Sequence, residues 1–155
     1  MFLLIIYHYY LCIILFYKFS GEATPRPIAS GLREFYTLDE MLNRYVVVVC
    51  NLKEAKMKGF ESYGMVLAAK SSDGKKVELI SPPAGAVIGE KLVIKGLTND
   101  PWPASKVKKM KVWEAMVEDL KTDENCNLCW KGQIITSEIG DKEFTSHSIA
   151  SSQVG

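Results

Sequence analysis

A small, mainly β barrel followed by a shorter α+β segment is the fold class that this sequence predicts, on three observations. Short β-branched or alternating runs recur between turn signals from Gly21 to Gly96. One helical periodicity follows the break at Pro101-Trp102-Pro103. A stretch without formal charge, Met1 to Tyr17, stands apart from both. The organisation implied is a hydrophobic N-terminal segment over 1–20, a β domain over 21–98 and an extension over 99–155.

The chain begins with the charge-free stretch, which is close to the roughly 17–25 residues that a spanning helix needs. As a signal peptide it lacks a basic start, and Lys18-Phe19-Ser20-Gly21 is a poor cleavage site. As a membrane anchor it carries His8 and four tyrosines, Tyr7, Tyr9, Tyr10 and Tyr17, more polar groups than a typical span. A third reading, a mispredicted start or translated intron foreign to the domain, is favoured because neither a 3.6-residue nor a two-residue period is visible in it.

From Gly21 onward the texture changes. Arg26 to Leu32 suits a short strand ending in Ser30-Gly31, and Thr37 to Leu42 a helical turn with Thr37 as N-cap and Glu40 completing a capping box. Tyr45 to Cys50, with four consecutive valines, suits a strand buried on both faces. Asn51 to Glu61 is a polar connection carrying Lys53, Lys56 and Lys58 and closed by Gly59, and a strand resumes over Ser62 to Ala69. Ser71-Ser72-Asp73-Gly74 is a hairpin turn, Val77 to Ile80 the returning strand, and Glu90 to Lys95 another beyond Pro82-Pro83-Ala84-Gly85. Five or so short strands with one small helix point to a barrel, not a βαβ sheet.

In the extension, Val107, Met110, Trp113, Val117 and Leu120 recur at helical spacing and predict one helix of about four turns. Lys106, Lys108, Lys109 and Lys111 gather near its start and Glu114, Glu118 and Asp119 near its end, opposite to the preference of the helix dipole. One or two further strands are expected around Gln133 to Thr136 and Phe144 to Ile149. No internal repeat or low-complexity tract interrupts the chain.

At 155 residues the chain fits one ordinary domain plus an extension. Lys and Arg number 19 against 18 Asp and Glu, so a net charge of +1 gives no global pull on nucleic acid, and attraction must come from local clustering. Cys12, Cys50, Cys126 and Cys129 form no disulfide framework and suit a reducing compartment. Cys126 and Cys129 make a CxxC without a second half-site, since His8 and His147 are not spaced to complete one, so no metal is expected. Phosphate loops, H-x-x-x-H patterns and nucleophile signatures are absent, and neither catalysis nor a cofactor is expected. The lysines at 53, 56 and 58, with Asn51 and Ser62 flanking them, offer cations and hydrogen-bonding groups together, as phosphates and unpaired bases require; a solvated lysine loop is the alternative.

Val46 to Lys70, VVVVCNLKEAKMKGFESYGMVLAAK, resembles the signature of a family of tRNA-binding domains. That family includes the endothelial monocyte-activating polypeptide module and the C-terminal appendices of several methionyl- and tyrosyl-tRNA synthetases. The likeness starts at GEATPRPIASGL (Gly21 to Leu32) and continues through Leu42-Asn43-Arg44, VELISPPAGAVIGEKL (Val77 to Leu92) and KVWEAMVEDLKTDENC (Lys111 to Cys126).

The resemblance implies an oligonucleotide-binding (OB) Greek-key barrel, with the extension packed on it and substituting for a second subunit, hence a monomer. It implies a cytoplasmic accessory module without catalysis, which grips the outer corner of tRNA and retains or delivers it for a methionyl- or other aminoacyl-tRNA synthetase by tethering. Two alternatives are a protein-interaction or cytokine-like signalling module of the same family, and a membrane-associated tRNA binder anchored by residues 1–17. Positions that match the family's pattern are Arg26, Ser30, Asn51, Lys53, Lys56, Lys58 and Ser62; for Ser30 and Ser62 the alternative is that each satisfies backbone groups at a strand end. The family has two strands ahead of the Gly-Glu-x-x-Pro-Arg segment and this chain has Met1 to Ser20 there, so the barrel is expected to lack its first two strands.

Overall fold

Three β segments in the middle of the chain are apolar on both faces, and that property sets the architecture. In the computed structural model, which describes residues 7–9, 12–17, 25–97 and 100–155, Val47 and Val49 join one core while Val46 and Val48 join a second. The same division separates Leu67 and Ala69 from Val66 and Ala68, and Ile80 from Val77 and Leu79. Hydrogen bonds from Leu67 N–H to the Val47 carbonyl (2.9 Å) and from Ile80 N–H to the Leu67 carbonyl (3.0 Å) tie the three segments together. The first core is completed from the C-terminal part by Leu120, Leu128, Ile135, Phe144, Ile149 and Val154, and the second by Ile28, Leu32 and Met41. Fully burying an aliphatic side chain of this size contributes about 1.5–3 kcal/mol, so both halves of the chain are held against the central layer.

Strands β1 (Tyr7–Tyr9), β2 (Cys12–Tyr17) and β3 (Arg26–Ser30) form an antiparallel sheet in that order, with register running from Ile13 opposite Ser30 to Tyr17 opposite Arg26. This corrects the expectation that two strands are missing ahead of β3. Cys-Ile-Ile-Leu-Phe-Tyr is rich in β-branched and aromatic residues, and that composition, more than any alternation, is the strand signal. The exposed N–H and C=O groups of β3 also require a partner, which β2 supplies.

Thr37 caps α1 (Leu38–Met41) through the full capping box, its N–H donating to the Glu40 carboxylate at 2.8 Å. Paired two-stranded ladders follow: β4 (Val48–Val49) with β7 (Met65–Val66), β5 (Ala55–Met57) with β6 (Phe60–Ser62), and β8 (Ala68–Lys70) with β9 (Val77–Leu79). The expected turn joins β8 to β9, where the Asp73 carboxylate accepts from the Ser71 hydroxyl (2.7 Å) and Lys75 N–H (3.0 Å), and Gly74 supplies a φ of +71°. Among the described residues these ladders remain separate sheets.

The C-terminal part departs most from expectation. The single helix is two six-residue helices, α2 (Ala104–Lys109) and α3 (Val112–Val117), broken where Lys111 takes the left-handed conformation at φ +49°. Met110, counted in the apolar stripe, is 59% exposed, so no burial holds the helix through that position. The break also resolves the charge pattern: Lys106, Lys108 and Lys109 fall in the last turn of α2 and Glu114 in the first turn of α3, each at the end its charge favours.

Leu120 opens β11 (Leu120–Thr122), which with β12 (Leu128–Trp130), β13 (Gln133–Ser137) and β10 (Leu92–Ile94) makes a four-stranded sheet in the order β10-β13-β12-β11. The run expected to form a strand over Phe144 to Ile149 instead makes single bridges, Thr145 to Ser81 and to Asn127. Buried Glu78 fastens this tail to β9. Its carboxylate accepts from Ser148 N–H (2.6 Å), the Ser148 hydroxyl (2.7 Å), Ile149 N–H (2.9 Å) and the Lys76 ammonium (2.8 Å). Burial alone pushes the carboxyl up, and these donors together pull it down to about 2. Among the described residues no helix is long and apolar enough to cross a membrane.

Candidate nucleic-acid interface

The polar connection between Cys50 and Tyr63 is itself structured. Its far half is the β5–β6 hairpin, in register Ala55 to Ser62, Lys56 to Glu61 and Met57 to Phe60. Lys58 and Gly59 form the two-residue turn with φ of +51° and +89°, the left-handed pair that a tight hairpin demands. Gly59 does this freely and Lys58 at some cost. Lys53, Lys56 and Lys58 are all exposed, and among the described residues none of them takes part in an ion pair. Glu61, across from Lys56, accepts instead from the Tyr63 hydroxyl at 2.7 Å, which pushes the phenol's pKa up.

The neck of the loop is closed from β3. One guanidinium nitrogen of Arg26 donates to the carbonyls of Cys50 (2.7 Å) and Tyr63 (3.2 Å), so a single side chain holds the first and last residues of the segment together. Tyr63 N–H donates to the Pro27 carbonyl at 3.0 Å. Ser62 is buried; its hydroxyl donates to the Gly64 carbonyl and accepts from Ala29 N–H, both at 3.0 Å. Gly64 packs so closely that a Cβ there would meet the Ile28 side chain and the Val49 carbonyl at 3.0 Å each. Asn51 donates from its amide to the Trp102 carbonyl at 3.0 Å, joining the start of the loop to the segment ahead of α2.

The seven residues marked by sequence thus occupy two settings. Lys53, Lys56 and Lys58 face solvent on the loop, while Arg26, Asn51 and Ser62 bond to backbone at its base. Ser30 is buried at the end of β3, its hydroxyl without a hydrogen-bond partner among the described residues. Trp102 was legible in sequence as a chain breaker between two prolines and not as the anchor of Asn51, because a backbone carbonyl leaves no compositional trace. Among the described residues no three His, Cys, Asp or Glu side chains are grouped to hold a metal ion. Cys126 and Cys129 are free thiols, that of Cys129 pushed up by burial.

Comparison with known proteins converges on one description. Residues 18–91 match the model of a putative tRNA-binding domain. The chain is 48% identical over 128 residues to a cytoplasmic methionine–tRNA ligase of Arabidopsis thaliana, covering 83% of this chain and 16% of the ligase. It is 43% identical over 112 residues to the aminoacyl tRNA synthase complex-interacting multifunctional protein 1 of Cricetulus griseus, covering 72% of this chain and 30% of that protein. It therefore spans less than a third of the length of either relative. The crystal structure of the C-terminal domain of Plasmodium vivax p43 superposes with a TM-score of 0.83 at 25% identity, covering 99% of this chain and 93% of that one.

Proposed function

The chain belongs, through residues 18–91, to the putative tRNA-binding domain family, and from that premise we propose that it binds tRNA through the Lys53–Lys58 loop as an accessory module to an aminoacyl-tRNA synthetase. The observation that carries the reading is the arrangement of three exposed lysines, in no ion pair among the described residues, on a loop whose neck is clamped by Arg26. Each ammonium that meets a phosphate releases condensed counterions, and this sequence-independent gain is the main source of affinity. The β5–β6 ladder fixes the backbone that carries Lys56 and Lys58, and the closed neck fixes the base of the loop that carries Lys53, so the points from which the ammonium groups reach phosphates are set before binding. Lysine suits that role, being a compact charge that reads no base.

In this reading Arg26, Asn51 and Ser62 shape the loop and the lysines touch the nucleic acid, with Ser30 at the end of β3, next to the Ala29 that bonds Ser62. The β segments up to residue 98 form an OB-type barrel and residues 99–155 a covering extension, which makes the monomer self-sufficient. Binding without chemistry is the role assigned: the module raises the local concentration of tRNA for a partner synthetase in the cytoplasm. The two relatives support this context, since one is named a cytoplasmic tRNA ligase and the other a synthase complex-interacting protein.

Filter binding of total tRNA against salt tests the proposal. Wild type is expected to bind more tightly than the tens of micromolar typical of non-specific complexes, with log affinity falling linearly in log salt. The triple variant K53E/K56E/K58E is expected to lose most retention. Unchanged retention by that variant defeats the reading.

A further inference from the structure

Four exposed lysines, Lys106, Lys108, Lys109 and Lys111, lie within six consecutive residues of the C-terminal part. Val107, buried between Lys106 and Lys108, seats α2 on the protein, so the charges around it are presented on a fixed support. α2 carries the first three and ends at Lys109, and the fourth, Lys111, is the left-handed residue that turns the chain into α3, ahead of Glu114 and Glu118. Among the described residues none of the four is in an ion pair. In a chain whose net charge is only +1, four cations in one short stretch are a strong local field.

This patch adjoins the loop already described. The Asn51 amide at the start of the lysine loop bonds to the Trp102 carbonyl, and the Lys106 ammonium lies 3.6 Å from the centroid of the Trp102 ring. One tryptophan therefore bridges the two lysine groups, itself 42% exposed beside a cation. A half-exposed indole beside one cationic row, on a residue whose backbone is bonded to the start of the other, is the surface expected for a sugar-phosphate strand with unpaired bases, and not for an acidic protein face.

We propose that the lysine row Lys106–Lys111 is a second phosphate-binding surface, continuous with the Lys53–Lys58 loop across Trp102, and that one RNA molecule crosses both. The inference rests on the tRNA-binding reading above. It makes the C-terminal part a contributor to affinity as well as a cover for the core.

The test measures the salt dependence of tRNA binding by the full chain in three forms: wild type, K106Q/K108Q/K109Q/K111Q, and the same four positions as arginine. If two to four of these lysines meet phosphates, the slope of log affinity against log salt becomes shallower by about 0.7–0.9 for each phosphate that the glutamine form leaves unneutralised. The arginine form is expected to keep the wild-type slope, which separates loss of charge from loss of fold. A glutamine form that matches wild type in affinity and slope, while K53E/K56E/K58E is weakened, overturns this inference and leaves the loop reading standing. Absence of tRNA binding by wild type removes both.

Discussion

Substituting Glu78 by glutamine isolates the interaction that pins the C-terminal tail to the central strands. The carboxylate is buried and accepts from two backbone N–H groups, one hydroxyl and one ammonium. Its pKa lies at about 2 against an ordinary 4.5, and at about 1.4 kcal/mol per pH unit that gap corresponds to about 3 kcal/mol of stability at neutral pH. The sign follows from the depression: the unfolded chain takes up the proton first, so the contribution is complete above about pH 4.5 and is lost as pH falls toward 2. Glutamine keeps the shape and one acceptor oxygen but no charge, and its amide group faces donors. Urea unfolding followed by tryptophan fluorescence is expected to show E78Q less stable than wild type by about 2–3 kcal/mol at pH 7, a gap that shrinks by about 2 kcal/mol at pH 3. Other carboxylates titrate in the same range, and the difference between the two proteins removes them. A gap as large at pH 3 as at pH 7, or none at pH 7, refutes the reasoning.

Two further substitutions separate support of the loop from direct binding. Ser62→Ala removes the acceptor of Ala29 N–H and a donor to Gly64, so it is expected to cost about 1–3 kcal/mol in urea unfolding while tRNA affinity at temperatures where the variant is folded stays within about twofold; weakened binding at unchanged stability assigns the hydroxyl to the RNA. Lys58→Asn places a residue tolerant of positive φ where lysine sits at +51°, and is expected to stabilise the fold by up to about 1 kcal/mol while making the salt slope of tRNA binding shallower; a variant that gains neither stability nor a shallower slope contradicts both roles given to this lysine.

Signals that are local in sequence were legible, and signals that depend on a distant partner were not. The Thr37–Glu40 capping box and the Ser71–Gly74 turn are short-range chemistry and stand where sequence places them. The valine run reads as a strand with two apolar faces because nothing polar interrupts it, and two cores meet it. The helix over Val107 to Leu120 fails because periodicity reports which residues could face a core and not whether one is present: Met110 has none. β11 and β12 are too short for alternation to register, and β2 lacked any period, being marked by its β-branched and aromatic composition and by the edge it fills. In the site, the lysines were visible as charge, whereas the clamp of Arg26 on Cys50 and Tyr63, 24 and 37 residues away, exists only after folding.

A nearly neutral chain can attract a polyanion only where its cations outnumber fixed anions locally, and the hydrogen bonds show how that is arranged. Each of the carboxylates Glu40, Asp73, Glu78, Glu90 and Asp123 is engaged by backbone or hydroxyl donors, and all are held below the usual carboxylate range. They serve as acceptors at turns and junctions, where a lysine would find no acceptor-rich pocket. On the hairpin Glu61 is taken by Tyr63, which leaves Lys56 opposite it without an ionic partner among the described residues. These five acids thus serve the framework, while the lysines of the loop and of α2, with exposed Glu54 and Glu61 on the loop beside them, have no ionic partner among the described residues. Tyr63 is therefore part of the electrostatics of the loop even though it carries no charge: without its hydroxyl, Glu61 is free to pair with Lys56 and compete with phosphate.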